Sequence, residues 1–487
     1  MKTRHFEGLL SLLLVLTLML YSIPVFAKVS TKYPTPEGYN DHDYQKLLAF
    51  YETKDGQGVR NGEKLSSNYD PVDPTTWGGE PSFENYVGLT WTEEGEKRLS
   101  SFGCEAGVLN IMYGDLDLSG CTELSHLWCA ENNISSVNVS GCEKLIFLDC
   151  SDNPLYGELY VSGCVSLSEL HCSWCSLTEL ALHELPSLTV ISFDGNSFSE
   201  LDFSGCLLLE EITLYYMNLT SLNASGMPSL RHLNASGCSL KSFAICDCPL
   251  LEALALEGNG LTHLEINNCP AIKSLNCGYN SLAEIDVSEL SELRSLNLYG
   301  NRLTSIDVSN NPLLQYLSCS YTNINELDLS NNHQLSTLNC LNTRLSMLDL
   351  SNNPLIPFEL VESVGDGFIS IGREDDEFGE YGAVASANAN SKFMGWFDEE
   401  GALITMNPIL WVEEQESGYV RALFTPNVFG DADGNGIIDT TDALFVLRYS
   451  MGLTSIDPLL LDRFDVDRDG DVDTADALIL LRIALGL

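Results

Sequence analysis

The sequence predicts a multidomain chain: an α/β repeat solenoid with a parallel sheet, then a small β-rich domain, then a small α module made of two loop–helix halves. Three observations predict it. Aliphatic residues recur every 21 positions through the middle of the chain. The recurrence breaks off at Pro354 into alternating apolar and acidic residues. Two acidic twelve-residue segments begin 34 residues apart, at Asp431 and Asp465, each followed by an apolar-periodic run.

Composition bounds the partners. The 487 residues carry 69 acidic and 24 basic side chains, a formal net charge of -45. So negative a surface repels nucleic acid and anionic lipid, and neither is expected as a partner. It attracts divalent cations wherever carboxylates converge. Residues 1–27 read as a signal peptide. Lys2 and Arg4 charge the front, Leu9 to Leu20 is apolar apart from Ser11 and Thr17, and Val25-Phe26-Ala27 offers a small-x-small cleavage site. The competing reading is an uncleaved anchor, because the apolar stretch approaches spanning length. Cleavage implies a secreted, extracellular protein without membrane attachment.

Repeat units open at Leu124, Leu145, Leu167, Leu188, Leu209, Leu230, Leu251, Ile272, Leu293, Leu314 and Leu335. One spacing is 22 rather than 21, where Tyr156-Gly157 adds a residue. A period of this size marks a solenoid. Offset +3 is always aliphatic (Leu127, Leu148 and so on to Leu338) and offset +5 is Cys or apolar, with polar residues between. That is the pattern of a short strand with one buried face. No unit buries that face alone, so neighbours stack into one parallel sheet. The unit Leu293–Pro312, LRSLNLYGNRLTSIDVSNNP, follows L-x-x-L-x-L-x-x-N-x-L and resembles a leucine-rich repeat. Over residues 104–355 the array is similar to the cysteine-bearing, 21-residue repeats of internalin-like bacterial proteins.

Sixteen cysteines in an exported protein ordinarily point to disulfides. Here six stand at offset +5 (Cys129, Cys150, Cys172, Cys277, Cys319, Cys340) and six at +18 (Cys121, Cys142, Cys164, Cys206, Cys248, Cys269). Equivalent core positions of successive units favour free thiols that fill a narrow core. Cys172-x-x-Cys175 and Cys246-x-Cys248 fall on or beside these positions, which argues against redox or metal chemistry. Offset +8, where Asn bonds neighbouring backbones, holds Asn in six units but Cys175, Met217, Cys238, Thr322 and Thr343 in the others, which predicts an imperfect ladder.

The polar strand positions form the concave face. Its aromatics, Trp128, Tyr215, Tyr216, Tyr279, Tyr299, Tyr316 and Tyr321, are the candidate ligand face for a protein or a glycan. Scattered surface aromatics are the alternative. His126, His171 and His232 fall on non-neighbouring repeats, and no nucleophile motif, phosphate loop or zinc signature is visible.

Two flanking regions complete the body. Residues 28–103 are expected as an N-terminal cap: Asp41 and Asp43 open a helix over YQKLLAFYE, followed by Trp77, Trp91 and Arg98. Residues 356–425, with Phe393-Met394-Gly395-Trp396-Phe397, are expected as a β-rich spacer resembling the extracellular repeats that follow internalin arrays. Trp396 is either a core ring or a sugar-stacking one.

The tail carries the chemistry. Segment 431–442 places Asp431, Asp433, Asn435, Asp439 and Asp442 at loop positions 1, 3, 5, 9 and 12; segment 465–476 places Asp465, Asp467, Asp469, Asp473 and Asp476 there. Gly436 and Gly470 stand at position 6, and the carbonyls of Ile437 and Asp471 supply position 7. Calcium takes six to eight oxygens, and a twelve-residue loop with this spacing wraps one ion, so two Ca2+ are expected. Position 12 is Asp, so each loop must close tightly for both oxygens to bind. Thr425–Gly430 does not read as a helix, whereas residues 443–448 and 477–482 do. Two loop–helix halves, over 427–487, resemble a type I dockerin. That resemblance implies a cohesin domain of a scaffolding protein as partner, in a cellulosome-like complex. It implies Thr440, Thr441 and Arg448, and Thr474, Ala475 and Arg482, as the cohesin-binding residues. The chain departs from the family at Ala475, and at Leu447 and Leu481, where a second basic residue is common.

Three functions follow as expectations. The first is a secreted binding or adhesion subunit, without catalysis, docked by its tail while the array holds a protein or glycan. The second is a polysaccharide-degrading component of glycoside-hydrolase type, opposed by the little chain outside the repeats. The third is a calcium-stabilised tail with no cohesin partner.

Overall fold

A short strand that is apolar on one side must lie against something, and in this chain it lies against its own repeats. The computed structural model describes residues 33–487 except 79–86, 105–110, 158, 181, 204–205, 365–366, 374–380, 389–390, 412–418, 427–428, 434 and 457. The expected signal peptide lies outside the described residues. The chain forms two compact units, Met1–Ser187 and Leu188–Leu487.

The first unit opens with helix α1 (Asp41–Tyr51), capped by the Asn40 side chain, which accepts from the Asp43 backbone N–H. Its face Tyr44, Leu47, Leu48, Phe50 and Tyr51 is fully buried, and the short helix α2 (Asn61–Leu65) follows it. Trp77 stacks on Tyr44 at 4.9 Å, and Phe50 meets Phe102 edge-on at 6.1 Å. Asp43 does more than favour the helix start. It is fully buried and accepts from Arg98 Nε at 2.8 Å and from the Leu99 backbone N–H at 3.0 Å, pinning the cap to the first sheet strand. That strand, Leu99–Cys104, pairs antiparallel with Val87–Trp91 on one side. On the other it runs parallel to His126–Trp128, then Phe147–Asp149, then Glu169–His171.

In the second unit eight parallel strands follow in register: Val190–Ser192, Glu211–Thr213, His232–Asn234, Ala253–Ala255, Ser274–Asn276, Ser295–Asn297, Tyr316–Ser318 and Thr337–Asn339. The return legs are turns and short strands, such as Ser242–Cys246 beside His263–Asn267. The one helical piece in the described array is the 3-10 turn Leu182–Glu184. The α/β expectation thus holds for the described residues, with their α-helices confined to the cap and the tail. A 21-residue unit spends too much chain on its strand and turns to close a helix of useful length.

The strands are three residues long, shorter than the alternating pattern suggests, because the chain turns at offset +7. All eleven residues there have φ between 52° and 67°, including Trp174, Tyr216, Tyr279 and Tyr321. A side chain in this left-handed region costs about 1–2 kcal/mol. Nine of these turns, from Glu131 to Tyr321, are held by an N–H bond to the next unit, for example Tyr279 to Tyr299 O at 2.7 Å and Tyr321 to Leu341 O at 2.7 Å.

The polar ladders are more complete than expected. At +8, Asn153, Asn259, Asn280 and Asn301 donate to the carbonyl 24 residues back, at 2.8–2.9 Å. Cys175 and Cys238 make the equivalent bond with S–H, to Cys150 O and Leu214 O. Thr322 and Thr343 keep the bond to the carbonyl three residues back, at 2.7 and 2.8 Å. At +18, Cys142, Cys164 and Cys248 donate to Leu118, Val139 and Ala224 carbonyls, as Asn311, Asn332 and Asn353 do in later units. The 16 cysteines, all among the described residues, form no disulfides, and all but Cys246 are buried. Burial pushes the Cys142, Cys164 and Cys277 thiols up to about 12, so they stay protonated donors.

The β-rich region is a cap on the array rather than a spacer. Met347–Asp349 pairs antiparallel with Leu360–Val364, which joins Tyr419–Pro426 and Ser391–Phe397. Strand Gly367–Arg373 lies against the last repeat: the Cys340 N–H donates to Ile371 O at 2.8 Å and the Ile369 N–H to Leu345 O at 2.9 Å. Trp396 is fully buried and its indole N–H donates to Pro408 O at 3.2 Å, so it is a core ring and not a sugar platform.

Candidate metal centre and docking helices

In the tail, helices α3 (Thr440–Ser450) and α4 (Thr474–Leu485) begin three residues earlier than their apolar periodicity suggests. The reason is local. Asp439 and Asp473 are N-caps, accepting from the Thr441 and Ala475 N–H groups at 2.6 Å, and Asp442 and Asp476 close the capping boxes. The two helices pack through Ala443, Val446, Ala477 and Leu480, with Ile456 and Phe464 between them. Before the first loop, the described residues Thr425 and Pro426 end a strand and Phe429 and Gly430 form a turn; a 3-10 turn, Pro458–Arg463, precedes the second loop.

Each loop is closed by its twelfth residue. Asp442 is fully buried; its Oδ1 accepts from the Ala432 and Asp433 N–H groups at 2.6 and 3.3 Å, and its Oδ2 from Asp439 N–H at 2.7 Å. Asp476 repeats this with Val466, Asp467 and Asp473, at 2.6, 3.2 and 2.8 Å. The short Asp side chain at position 12 therefore does draw both ends of the loop together. Asp431 and Asp465 accept from Gly436 and Gly470 N–H at 2.7 and 3.0 Å, and these glycines take φ of 90° and 101°. Asp433, Asn435, Asp467 and Asp469 accept N–H bonds from two residues on. Ile437 and Asp471 are exposed at position 7.

Ligand oxygens of Asp431, Asp433 and Asp442 lie within 4.8 Å of one another, as do those of Asp465, Asp467 and Asp476. An all-oxygen, carboxylate-rich set at this spacing fits calcium and suits no soft metal. In the second loop, burial first, and then the charges of Asp469, Asp476 and Asp465, push the Asp467 carboxyl up, the mark of crowded carboxylates. A third group, His42, Asp43 and Cys121, also converges, but Asp43 is committed to Arg98 and Leu99 there.

The halves are not fully equivalent. Position -1 is Gly430 in one and Phe464 in the other; a Cβ at Gly430 would stand 2.6 Å from Leu480 Cδ2, whereas Phe464 fills the core beside Phe445 at 6.1 Å. Outside, they match closely. Thr440, Thr441 and Arg448 are exposed on α3; Thr474 and Arg482 are exposed and Ala475 half-buried on α4. Between them stand Leu444 and Leu478, 51% and 50% exposed, which the sequence reading did not single out. Their signal was legible: both are apolar, at equivalent positions, on the side of the helix opposite Val446 and Leu480.

On the array, Trp128 and Tyr316 lie on sheet strands. Tyr215, Tyr216, Tyr279, Tyr299 and Tyr321 do not; they sit in the turn that follows, at the edge of the concave face. Tyr279, Tyr299 and Tyr321 form a ladder with ring centroids 4.7 and 4.9 Å apart, and Tyr215 meets Tyr216 at 6.0 Å. Tyr316 is half-buried and outside that ladder.

Residues 429–483 match the dockerin type I domain model. Among solved structures, the functional domain of InlJ from Listeria monocytogenes, described as including a cysteine ladder, is 22% identical over 67% of this chain and 90% of that one, with a TM-score of 0.40. A leucine-rich-repeat protein from Leptospira interrogans is 20% identical over 50% and 76%, TM-score 0.37. An internalin from Listeria monocytogenes is 16% identical over 50% and 71%, TM-score 0.36. No curated protein matches. With the repeat geometry and the two loops in place, the chain is a leucine-rich-repeat protein with a calcium-binding type I dockerin at residues 429–483.

Proposed function

We propose that this chain is a secreted, non-catalytic binding subunit. Its dockerin holds two calcium ions and attaches to a cohesin domain on a scaffolding protein, while the repeat array grips a protein or glycan. The observation that carries the docking half is the pair of matched helix stripes. Thr440, Thr441, Leu444 and Arg448 recur as Thr474, Ala475, Leu478 and Arg482, each with an exposed leucine between polar neighbours. A half-exposed leucine at the centre of a polar rim is how a compact interface is built. The duplicated stripe lets either helix face the partner. Calcium couples to this surface because the loop carboxylates that would ligate it, Asp442 and Asp476, also form the helix capping boxes. Among the described residues no helix is long and apolar enough to cross a membrane.

The test is binding of the full chain to a panel of bacterial cohesins, with calcium and with chelator. Calcium-dependent binding, weakened more by Leu444→Ala with Leu478→Ala together than by either alone, supports docking through either helix. Calcium uptake with no cohesin bound leaves the module a structural tail.

A further inference from the structure

On the sheet of the first unit, three adjacent strands set six side chains in a grid. His126, Phe147 and Glu169 are in register in one row; Trp128, Asp149 and His171 are in the other. All six are half-buried, on the open side of a sheet whose other face is core. The aromatic members touch: His126 stacks on Trp128 at 5.4 Å and 13°, and Phe147 lies 5.7 Å from Trp128 and 5.4 Å from His171. Phe147 thus bridges two histidines that stand two repeats apart in the sequence. Just past the strand ends, Glu131, Asp152 and Trp174 are exposed in left-handed turns.

The charge around this grid is one-sided. From Leu99 to Ser187 the chain has twelve acidic residues and one basic residue, Lys144. Lys144 is committed to Glu123 at 2.7 Å. Burial, and then the charges of Glu131 and Asp149, push the Asp152 carboxyl up, so these three carboxylates feel one another.

We infer that this face docks a basic segment of a partner protein, with an arginine stem against the Trp128–Phe147 rings and its guanidinium held by Asp149 and the neighbouring carboxylates. Arginine matches both halves of the grid. Its planar head packs on aromatic rings and pairs with carboxylates in fork geometry, and its stem covers apolar surface. A neutral glycan would use the rings but offer no positive charge to Glu131, Asp149, Asp152 and Glu169, of which Asp149 accepts the Ser151 N–H at 3.0 Å. The inference rests on reading the array as a binding surface and is independent of docking by the tail.

The test uses the full chain, calcium-loaded so that the dockerin loops do not compete, and a fluorescent hexa-arginine peptide read by anisotropy. Ionic strength is held near about 0.15 M to screen long-range attraction. Asp149→Asn with Glu169→Gln is compared with Asp286→Asn with Asp307→Asn, which removes the same charge on distant repeats. The exposed pair Glu131→Gln with Asp152→Asn, which leaves the core untouched, guards against misfolding. The expected result is about tenfold weaker binding for each grid pair, as loss of one charge-assisted contact implies, and less than about twofold for the distant pair. Equal weakening by all three pairs, or by none, overturns the inference as general attraction to an acidic chain. Tighter, Asp149-dependent binding of a chitosan hexamer would overturn the polypeptide assignment in favour of a cationic glycan. Cohesin binding is unaffected in every arm, so failure here is separable from failure of docking.

Discussion

Replacing Asp442 should loosen the first docking helix even when calcium is absent. The buried carboxylate accepts two short N–H bonds, from Ala432 at 2.6 Å and Asp439 at 2.7 Å, and a long one from Asp433 at 3.3 Å. Bonds to a charged acceptor contribute about 1.5–3 kcal/mol each, and the long one adds little. Ala432 and Asp439 are only half-buried, so their freed N–H groups regain water, and Asp442→Ala should cost about 2–3 kcal/mol. Asp442→Asn keeps one acceptor oxygen for Ala432 but turns an amide N–H2 toward Asp439, at a cost of about 1–2 kcal/mol. Both variants also remove a calcium ligand charge. Stability in chelator should therefore fall in the order parent, Asn, Ala, while calcium affinity falls in both. Hydrogen exchange of the full chain, followed on a peptide covering residues 440–450, reads the first; calorimetric calcium titration reads the second. In chelator, exchange should rise about thirtyfold or more in the alanine variant. Parent-like exchange in that variant, or equal exchange in both variants, would refute the claim that Asp442 organises the helix as well as the ion.

Three further outcomes are expected. Tyr279 sits at φ 52° and spends its ring on Tyr299 at 4.7 Å. Tyr279→Ala loses the ring and keeps the strain, whereas Tyr279→Gly loses both, so glycine should be the more stable by about 1 kcal/mol in urea unfolding; the reverse order would sink the strain argument. The buried thiols that burial keeps protonated, Cys142, Cys164 and Cys277 among them, should resist maleimide in the native protein, and all 16 cysteines should label in denaturant. Rapid native labelling of Cys142 or Cys277, or fewer than sixteen labels without reductant, would contradict a free, buried ladder. Finally, Asp286 and Asp307 are held below the usual carboxylate range chiefly by the Ser288 and Ser309 hydroxyls, and Asp328 and Asp349 chiefly by the Ser330 and Ser351 N–H groups. A depressed folded pKa contributes stability above the unfolded value and loses it as pH falls through the folded value. Array stability should therefore drop below about pH 3.9, and Asp307→Asn with Asp328→Asn should flatten that acid limb in urea titrations at stepped pH.

Much was legible along the chain because it was periodic. The spacing of Leu124 to Leu335 determined the solenoid and its parallel sheet, since an apolar strand face repeated in register has no other way to leave water. The loop positions of Asp431 to Asp442 and Asp465 to Asp476 determined the oxygen donor set, because position within a loop is set by local geometry alone. The left-handed column at offset +7 could also have been read: Gly195, Gly237, Gly258, Gly300, Asp152 and Asn342 mark it. It was hidden by the tyrosines and the tryptophan that share it, and so the expected tyrosine face moved from the strands to the turns beside them.

What the sequence by itself determined is therefore whatever depends on neighbours in the chain or on the repeat: unit length, core positions, loop chemistry and the helices that follow. Tertiary structure decided what depends on residues far apart or one repeat removed. It made Asp43 a buried partner of Arg98 as well as a helix-start charge, and it set residues 367–373 on the last repeat as a cap. It turned Cys142, Cys164, Cys175, Cys238 and Cys248 into hydrogen-bond donors by placing a carbonyl from the preceding unit within reach of each of these thiols. It brought His126, Phe147 and His171 into one contact, because the sheet spaces repeats by a strand's width however long the chain between them runs.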